Sequence, residues 1–153
     1  MLRKITGFST DEKGDWVADL ECYHGQHVRH KPPFTRRPWV ITQDGRNSRL
    51  GQELDCLKCN RMEWPEDLAI NRRTAELNEK SMPEYFKKSY SLPTGIWGKI
   101  IVLHGELNYK INDPFELCSE IVTGESAIIV PDTNCLIVPS VDTRFCIEFY
   151  VRD

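Results

Sequence analysis

The chain has no hydrophobic run long enough to span a bilayer. Its apolar stretches, such as Ile100 to Leu103 and Ala127 to Val130, fall far short of the ~20 residues that a membrane helix needs. The opening residues Met1 to Gly7 contain no apolar core, and charge follows at Asp11, so no secretory signal is read there. The expectation is a cytoplasmic protein with no membrane partner. Acidic side chains are missing from residues 22 to 43. Histidine is scarce, and three of the four lie in that same window, which leaves the second half only His104. No Ser-His-Asp set, phosphate-cradling glycine loop or acid/base carboxylate pair is visible. Catalytic residues are therefore assigned to none, and a non-enzymatic role is expected. No internal repeat or low-complexity tract stands out.

What is present suits one ordinary domain or two small ones: 153 residues, 40% apolar and 28% charged. A unit of half this length is marginal on its own and often needs a metal or disulfide staple. The net charge of -3 conceals an uneven distribution. Arg29, Lys31, Arg36 and Arg37 crowd the carboxylate-free window, whereas ten carboxylates face six Lys and Arg from Ser81 onward. Two units with different surroundings follow from that split.

Two short ligand pairs carry the strongest chemical signal. They are Cys22-Tyr23-His24 and Cys56-Leu57-Lys58-Cys59. Thiolate sulfur and imidazole nitrogen are the usual tetrahedral ligands of zinc. One structural Zn2+ per chain, held by Cys22, His24, Cys56 and Cys59, is the expected cofactor. His27 stays open as a rival to His24. A redox Cys-x-x-Cys commonly lies near a βαβ pattern, and none is visible. Three disulfides are conceivable from six cysteines, but a reducing compartment argues against them. Cys118, Cys135 and Cys146 sit among apolar neighbours, like small buried hydrophobes.

Strand patterns cover Ile5–Phe8, Trp16–Leu20, Gln26–His30 and Trp39–Thr42, with turns at Asp11–Gly14 and Gln43–Arg46. Residues 61–80 read as a helix opened by Pro65, Glu66 and Asp67, with a weak apolar face. A short segment, Glu84–Lys88, follows Pro83. Strand patterns then recur at 96–103, 107–111, 126–130, 136–138 and 145–151, punctuated by Gly and Pro. The predicted architecture is mainly β: a zinc-ribbon-like unit over 1–60, a helical linker over 61–82 and a small barrel or sandwich over 83–153. Trp97, Tyr109, Phe145 and Phe149 are candidates for its core or lining.

His27, Arg29, His30, Arg36 and Arg37, interleaved with Phe34 and Trp39, form a candidate ligand- or anion-binding set. Basic and aromatic residues together can hold phosphates and stack bases. The acidity of the whole chain argues against nucleic acid. An interaction module that uses the basic surface of residues 24–39, for nucleic acid or protein, is kept as an alternative.

The first 60 residues resemble a small bacterial family of unknown function. The words that carry this are Ile5-Thr6-Gly7-Phe8, Gly14-Asp15-Trp16-Val17-Ala18, the run from Cys22 to Pro33, Arg37-Pro38-Trp39-Val40 and Cys56-Leu57-Lys58-Cys59. From about Pro83 to Val151 the chain resembles the cupin-like domain of some tellurite-resistance proteins. The matching words are Gly95-Ile96-Trp97-Gly98-Lys99-Ile100, Gly105-Glu106-Leu107, Val130-Pro131 and Ile147-Glu148-Phe149-Tyr150. That resemblance implies a small β-barrel with a small-molecule cavity, often paired as a homodimer. The chain departs from it at three places: Tyr90 and Pro93 stand where relatives carry a histidine and a lysine, and Cys135 stands near the place of a further histidine. Trp97, His104, Glu106, Cys135 and Glu148 remain the candidates for a barrel cavity, with no second metal expected. The resulting expectation is a small-ligand-binding or regulatory module in a stress context, with a metal-dependent cupin enzyme as the alternative.

Overall fold

The computed structural model describes Met1–Asp153 in full. Two compact units emerge, Met1–Glu66 and Asp67–Asp153. Both are mainly β.

In the first unit, β1 (Leu2–Thr10), β2 (Trp16–Leu20), β3 (Gly25–His27) and β4 (Glu53–Asp55) form one antiparallel sheet in the order β3-β2-β1-β4. The β1–β2 hairpin closes through the predicted turn. The Asp11 carboxylate accepts the backbone N–H of Lys13 and Asp15, both at 2.9 Å, and Gly14 takes a positive φ of 77°. Ile5, Ala18, Leu20, Val28 and Val40 supply its small apolar core.

The predicted strand at Trp39–Thr42 is corrected to a 3-10 turn over Pro38–Val40. Pro38 presets φ for the first helical position, and that local constraint overrides the aromatic and β-branched composition. Thr42 then caps the short helix α1 (Gln43–Asn47), its hydroxyl accepting the Gly45 N–H at 3.1 Å. Glycine is required at position 45, because a Cβ there would stand 2.3 Å from the Trp39 carbonyl oxygen.

The helix expected over 61–80 is absent. Asp67 adopts a φ of 58°, which ends any right-handed helix. Leu68–Arg73 instead forms β5, an edge strand paired antiparallel with β11 (Arg144–Arg152). The chain keeps to that course beyond β5, since Leu77 and Phe145 exchange backbone hydrogen bonds at 2.7 and 3.0 Å. Pairing with a neighbouring strand satisfies every second backbone group, which the weak apolar face of an isolated helix could not offset. Residues 61–82 are therefore no helical linker.

The second unit has two antiparallel sheets. One has the order β5-β11-β6-β9, with β6 at Trp97–His104 and β9 at Ser126–Ile129. The other has the order β10-β7-β8, with β10 at Asn134–Pro139, β7 at Glu106–Asp113 and β8 at Leu117–Val122. Alternation along the strands separates the faces. Ile100, Val102, Phe145 and Ile147 are buried in the first sheet, as are Leu107, Tyr109, Ile111 and Ile137 in the second. Each such side chain contributes about 1.5–3 kcal/mol of burial. The word Gly95-Ile96-Trp97-Gly98 has a steric basis. Gly95 has a φ of 80°, and a Cβ on Gly98 would meet Leu92 at 2.8 Å and Ile129 at 3.0 Å.

Candidate metal centre

Strand order brings the two ligand pairs together. β2 and β4 both run antiparallel to β1, so both end beside its start. Leu20 pairs with Ile5, and Asp55 pairs with Leu2. Cys22 follows β2 and Cys56 follows β4, at one end of the same sheet. Between β2 and β3 the chain reverses tightly. The Tyr23 N–H donates to the Leu20 carbonyl at 2.8 Å, the Leu20 N–H donates to the His24 carbonyl at 3.0 Å, and Tyr23 takes a φ of 70°. Cys56 caps the one-turn helix α2 (Leu57–Asn60), and its sulfur accepts the Cys59 N–H at 3.4 Å.

The side chains of Cys22, His24, Cys56 and Cys59 offer one ligand atom each, all within 4.8 Å of one another, and all four residues are buried. The Sγ atoms of Cys22 and Cys56 are 3.8 Å apart. His24 Nδ1 lies 3.7 Å from Cys22 Sγ and 3.5 Å from the sulfurs of both Cys56 and Cys59. A tetrahedral ion with metal–sulfur bonds of about 2.3 Å and metal–nitrogen bonds of about 2.0–2.1 Å has S···S edges of roughly 3.8 Å and S···N edges of roughly 3.5–3.6 Å. The observed spacings are those edges, so the set can hold one metal ion.

Electrostatics agree. The Cys56 thiol is held far below its ordinary range by hydrogen bonds from Cys22 and then Cys59. Cys22 is pushed up to about 11, first by the hydrogen bond it shares with Cys56, and Cys59 is pushed up by Cys22 and then Cys56. Three adjacent thiols cannot all ionise unaided, and a dication removes the conflict.

His27 is not part of this cluster. It is exposed, and its Nε2 lies 2.9 Å from the Asp11 carboxylate. That hydrogen bond is the main cause of a lowered Asp11 pKa. Arg29 Nε donates to Asp15 at 2.7 Å, and His30 Nδ1 accepts the Arg37 backbone N–H at 2.9 Å. Arg36 is exposed and Arg37 half-buried. Asp11 and Asp15 were not among the sequence-predicted site residues. Their relevance follows from the hairpin, which sets the 11–15 turn beside β3.

The barrel-cavity candidates do not converge, and that expectation is corrected. Trp97 and Cys135 are buried, whereas His104 and Glu106 are exposed at strand ends. Cys135 pairs with Ile111, which is five residues along β7 from Glu106, a separation of roughly 17 Å. Glu148 accepts the Tyr150 hydroxyl at 2.5 Å and pairs with Arg73 at 3.7 Å. In the interior, Cys135 is pushed up to about 11 by burial, and Tyr109 is also raised, again by burial.

The chain is similar to several solved structures. A protein from E. coli (strain K12) superposes with a TM-score of 0.54 at 21% identity, covering 60% of this chain and 97% of that one. TehB from Haemophilus influenzae gives 0.49 at 18% identity, covering 57% of this chain but only 32% of its own. A cupin protein from Bacteroides fragilis gives 0.33 at 20% identity, over 42% of this chain and 52% of that one. No curated protein matches the chain. The family matches divide as the fold does: residues 6–63 match the family described as a protein of unknown function (DUF3565), and residues 72–147 match the TehB-like domain family.

Proposed function

We propose that this is a zinc-stapled, non-enzymatic binding protein. One Zn2+ at Cys22, His24, Cys56 and Cys59 holds the first unit together, and the TehB-like unit serves as a small-ligand or regulatory module. The observation that carries the zinc reading is the match between the ligand spacings and the edges of a zinc tetrahedron. Four buried protein ligands complete the coordination, which supports a structural ion over a catalytic one. All six cysteines are free, which supports a reducing, cytoplasmic setting.

For the second unit, support comes from its family match and from an open cleft of about 450 Å³ lined by Asn78, Glu79, Lys80, His104, Asp142 and Arg144. Lys80 and His104 stand there beside the carboxylates of Glu79 and Asp142, and Arg144 pairs with Glu76, a mixed lining that suits a small polar ligand; the oxyanion-stress role of the tellurite-resistance type rests on the family match. The unit works as a homodimer in this reading.

Elemental analysis of the purified chain is expected to return one zinc per chain, and a thermal-shift panel of metabolites and oxyanions is expected to stabilise it. A metal other than zinc, or a second bound metal, overturns the first half of the proposal. A flat response across the panel overturns the second.

A further inference from the structure

We infer that the first unit carries a docking site for single-stranded nucleic acid, built around Phe34. Residues 31–35 form a small hairpin closed by two backbone hydrogen bonds between Lys31 and Thr35, both at 2.9 Å. Phe34 stands at its tip, 94% exposed, the most exposed large apolar side chain of the protein. A phenyl ring presented this way serves as a stacking platform, and every base has a face to stack on it.

Charge complementarity sets the occupant. His27 and Arg29 are engaged by Asp11 and Asp15. Lys31, Arg36 and Arg37 flank the exposed ring with no ion-pair partner, in a window that holds no Asp or Glu. The net charge of -3 is a sum over the whole chain. A phosphate responds mainly to charges within about a Debye length, roughly 8–10 Å.

Beside the hairpin lies a cleft of about 220 Å³. Trp16, Val28, Val40 and Ile41 give it an apolar lining, with Lys31 and the Asp15–Arg29 ion pair at the same cleft. His30 lines it too, and because its Nδ1 accepts the Arg37 N–H, its Nε2 is the protonated donor. An apolar slot with Lys31 at its edge and His30 as a donor, next to a bare aromatic ring flanked by Arg36 and Arg37, fits a base joined to phosphate on either side. An anionic membrane surface would use the ring and cations but leave the cleft unused. It would also favour several aromatic anchors at one level.

The test uses the full zinc-loaded chain and fluorescently labelled oligo(dT) and oligo(U) in anisotropy titrations, with anionic phosphatidylserine vesicles as a separate arm. Three phosphate contacts give a log–log salt slope of about -2, so affinity falls roughly 18-fold between 50 and 200 mM salt. Phe34→Ala weakens binding about five-fold or more, and Phe34→Trp restores it. The double change R36Q/R37Q cuts the slope by about 1.4. Equal zinc content in every variant shows that the exposed tip does not act through folding. Unequal loss for DNA and RNA tells which strand is preferred. No binding at 50 mM salt, Phe34→Ala equal to the parent, or Phe34-dependent binding to vesicles alone overturns the inference.

Discussion

The sulfur atoms of Cys22 and Cys56 lie 3.8 Å apart across 34 residues of chain. No local turn accounts for that approach. It arises because β2 and β4 flank β1 and end at the same edge, so the sheet must form for the ligands to meet, and the ligands in turn hold its ends.

Removing one ligand should therefore dismantle the first unit. Cys56→Ser or Cys59→Ala is expected to abolish zinc binding, and structural zinc carries a binding free energy of roughly 10 kcal/mol or more. A unit this small has no comparable reserve. Hydrogen exchange over residues 1–66 should rise sharply in these variants. His27→Ala should retain one zinc and normal protection, since His27 is exposed and engaged by Asp11. Loss of zinc in His27→Ala would reverse the ligand assignment.

Thiol labelling should sort the cysteines by environment. Iodoacetamide at pH 8 is expected to modify exposed Cys118 first in the zinc-loaded protein. Cys135 is buried and pushed up to about 11, so it stays a neutral, unreactive thiol. A chelator should then open Cys22, Cys56 and Cys59 to the reagent. Peptide mass spectrometry reads the order, and early modification of Cys135 would contradict its buried, packed placement.

Stability should fall in alkali. The folded pKa of Cys135 is about 11 against an ordinary value near 9. Its folded state binds the proton more tightly, so the contribution is intact below pH 9 and is lost as pH rises toward 11. The loss is on the order of 2–3 kcal/mol. Cys135→Ala should flatten that segment of the pH profile in urea titrations. An unchanged slope between pH 9 and 11 would refute the assignment.

Gly98→Ala should destabilise the second unit by about 1–3 kcal/mol through overpacking, because the added methyl meets Leu92 and Ile129. Leu92→Ala also destabilises, through a cavity. The two changes combined should cost less than their sum, since the second removes the atom that the first strikes. Additive effects in a double-mutant cycle would show that the contact does not limit packing there.

The ligand pairs were legible because metal chemistry restricts both residue type and spacing. Five of the six strands from Trp97 onward were legible because alternation and Gly or Pro punctuation leave few other readings; β8 was missed, since Leu117 to Val122 carries Ser119 and Glu120 and buries only Ile121. His24 was preferred to His27 on its shorter spacing from Cys22 alone, and the cluster contains it. The physical reason is the tight reversal after Leu20, which turns His24 inward and sends His27 out to Asp11. β5 was missed because its apolar residues, Leu68 to Ile70, are few and its outer residues are exposed. Its partner, β11, lies some seventy residues away. Phe34 gave no sign of its exposure, since an aromatic after two prolines is ordinarily expected to pack.

By itself, then, the order of residues determined that this protein is mainly β, that it divides into a basic and an acidic part, and that it owns four soft ligands suited to one ion. Those properties reside in composition, period and side-chain chemistry, which need no partner. Tertiary structure alone decided how the four ligand atoms meet, that Leu68–Arg73 is a strand, that the barrel candidates stand apart and that Phe34 faces water. Each of these depends on what a distant segment places alongside, and a backbone group or side chain takes its state from the partner that reaches it.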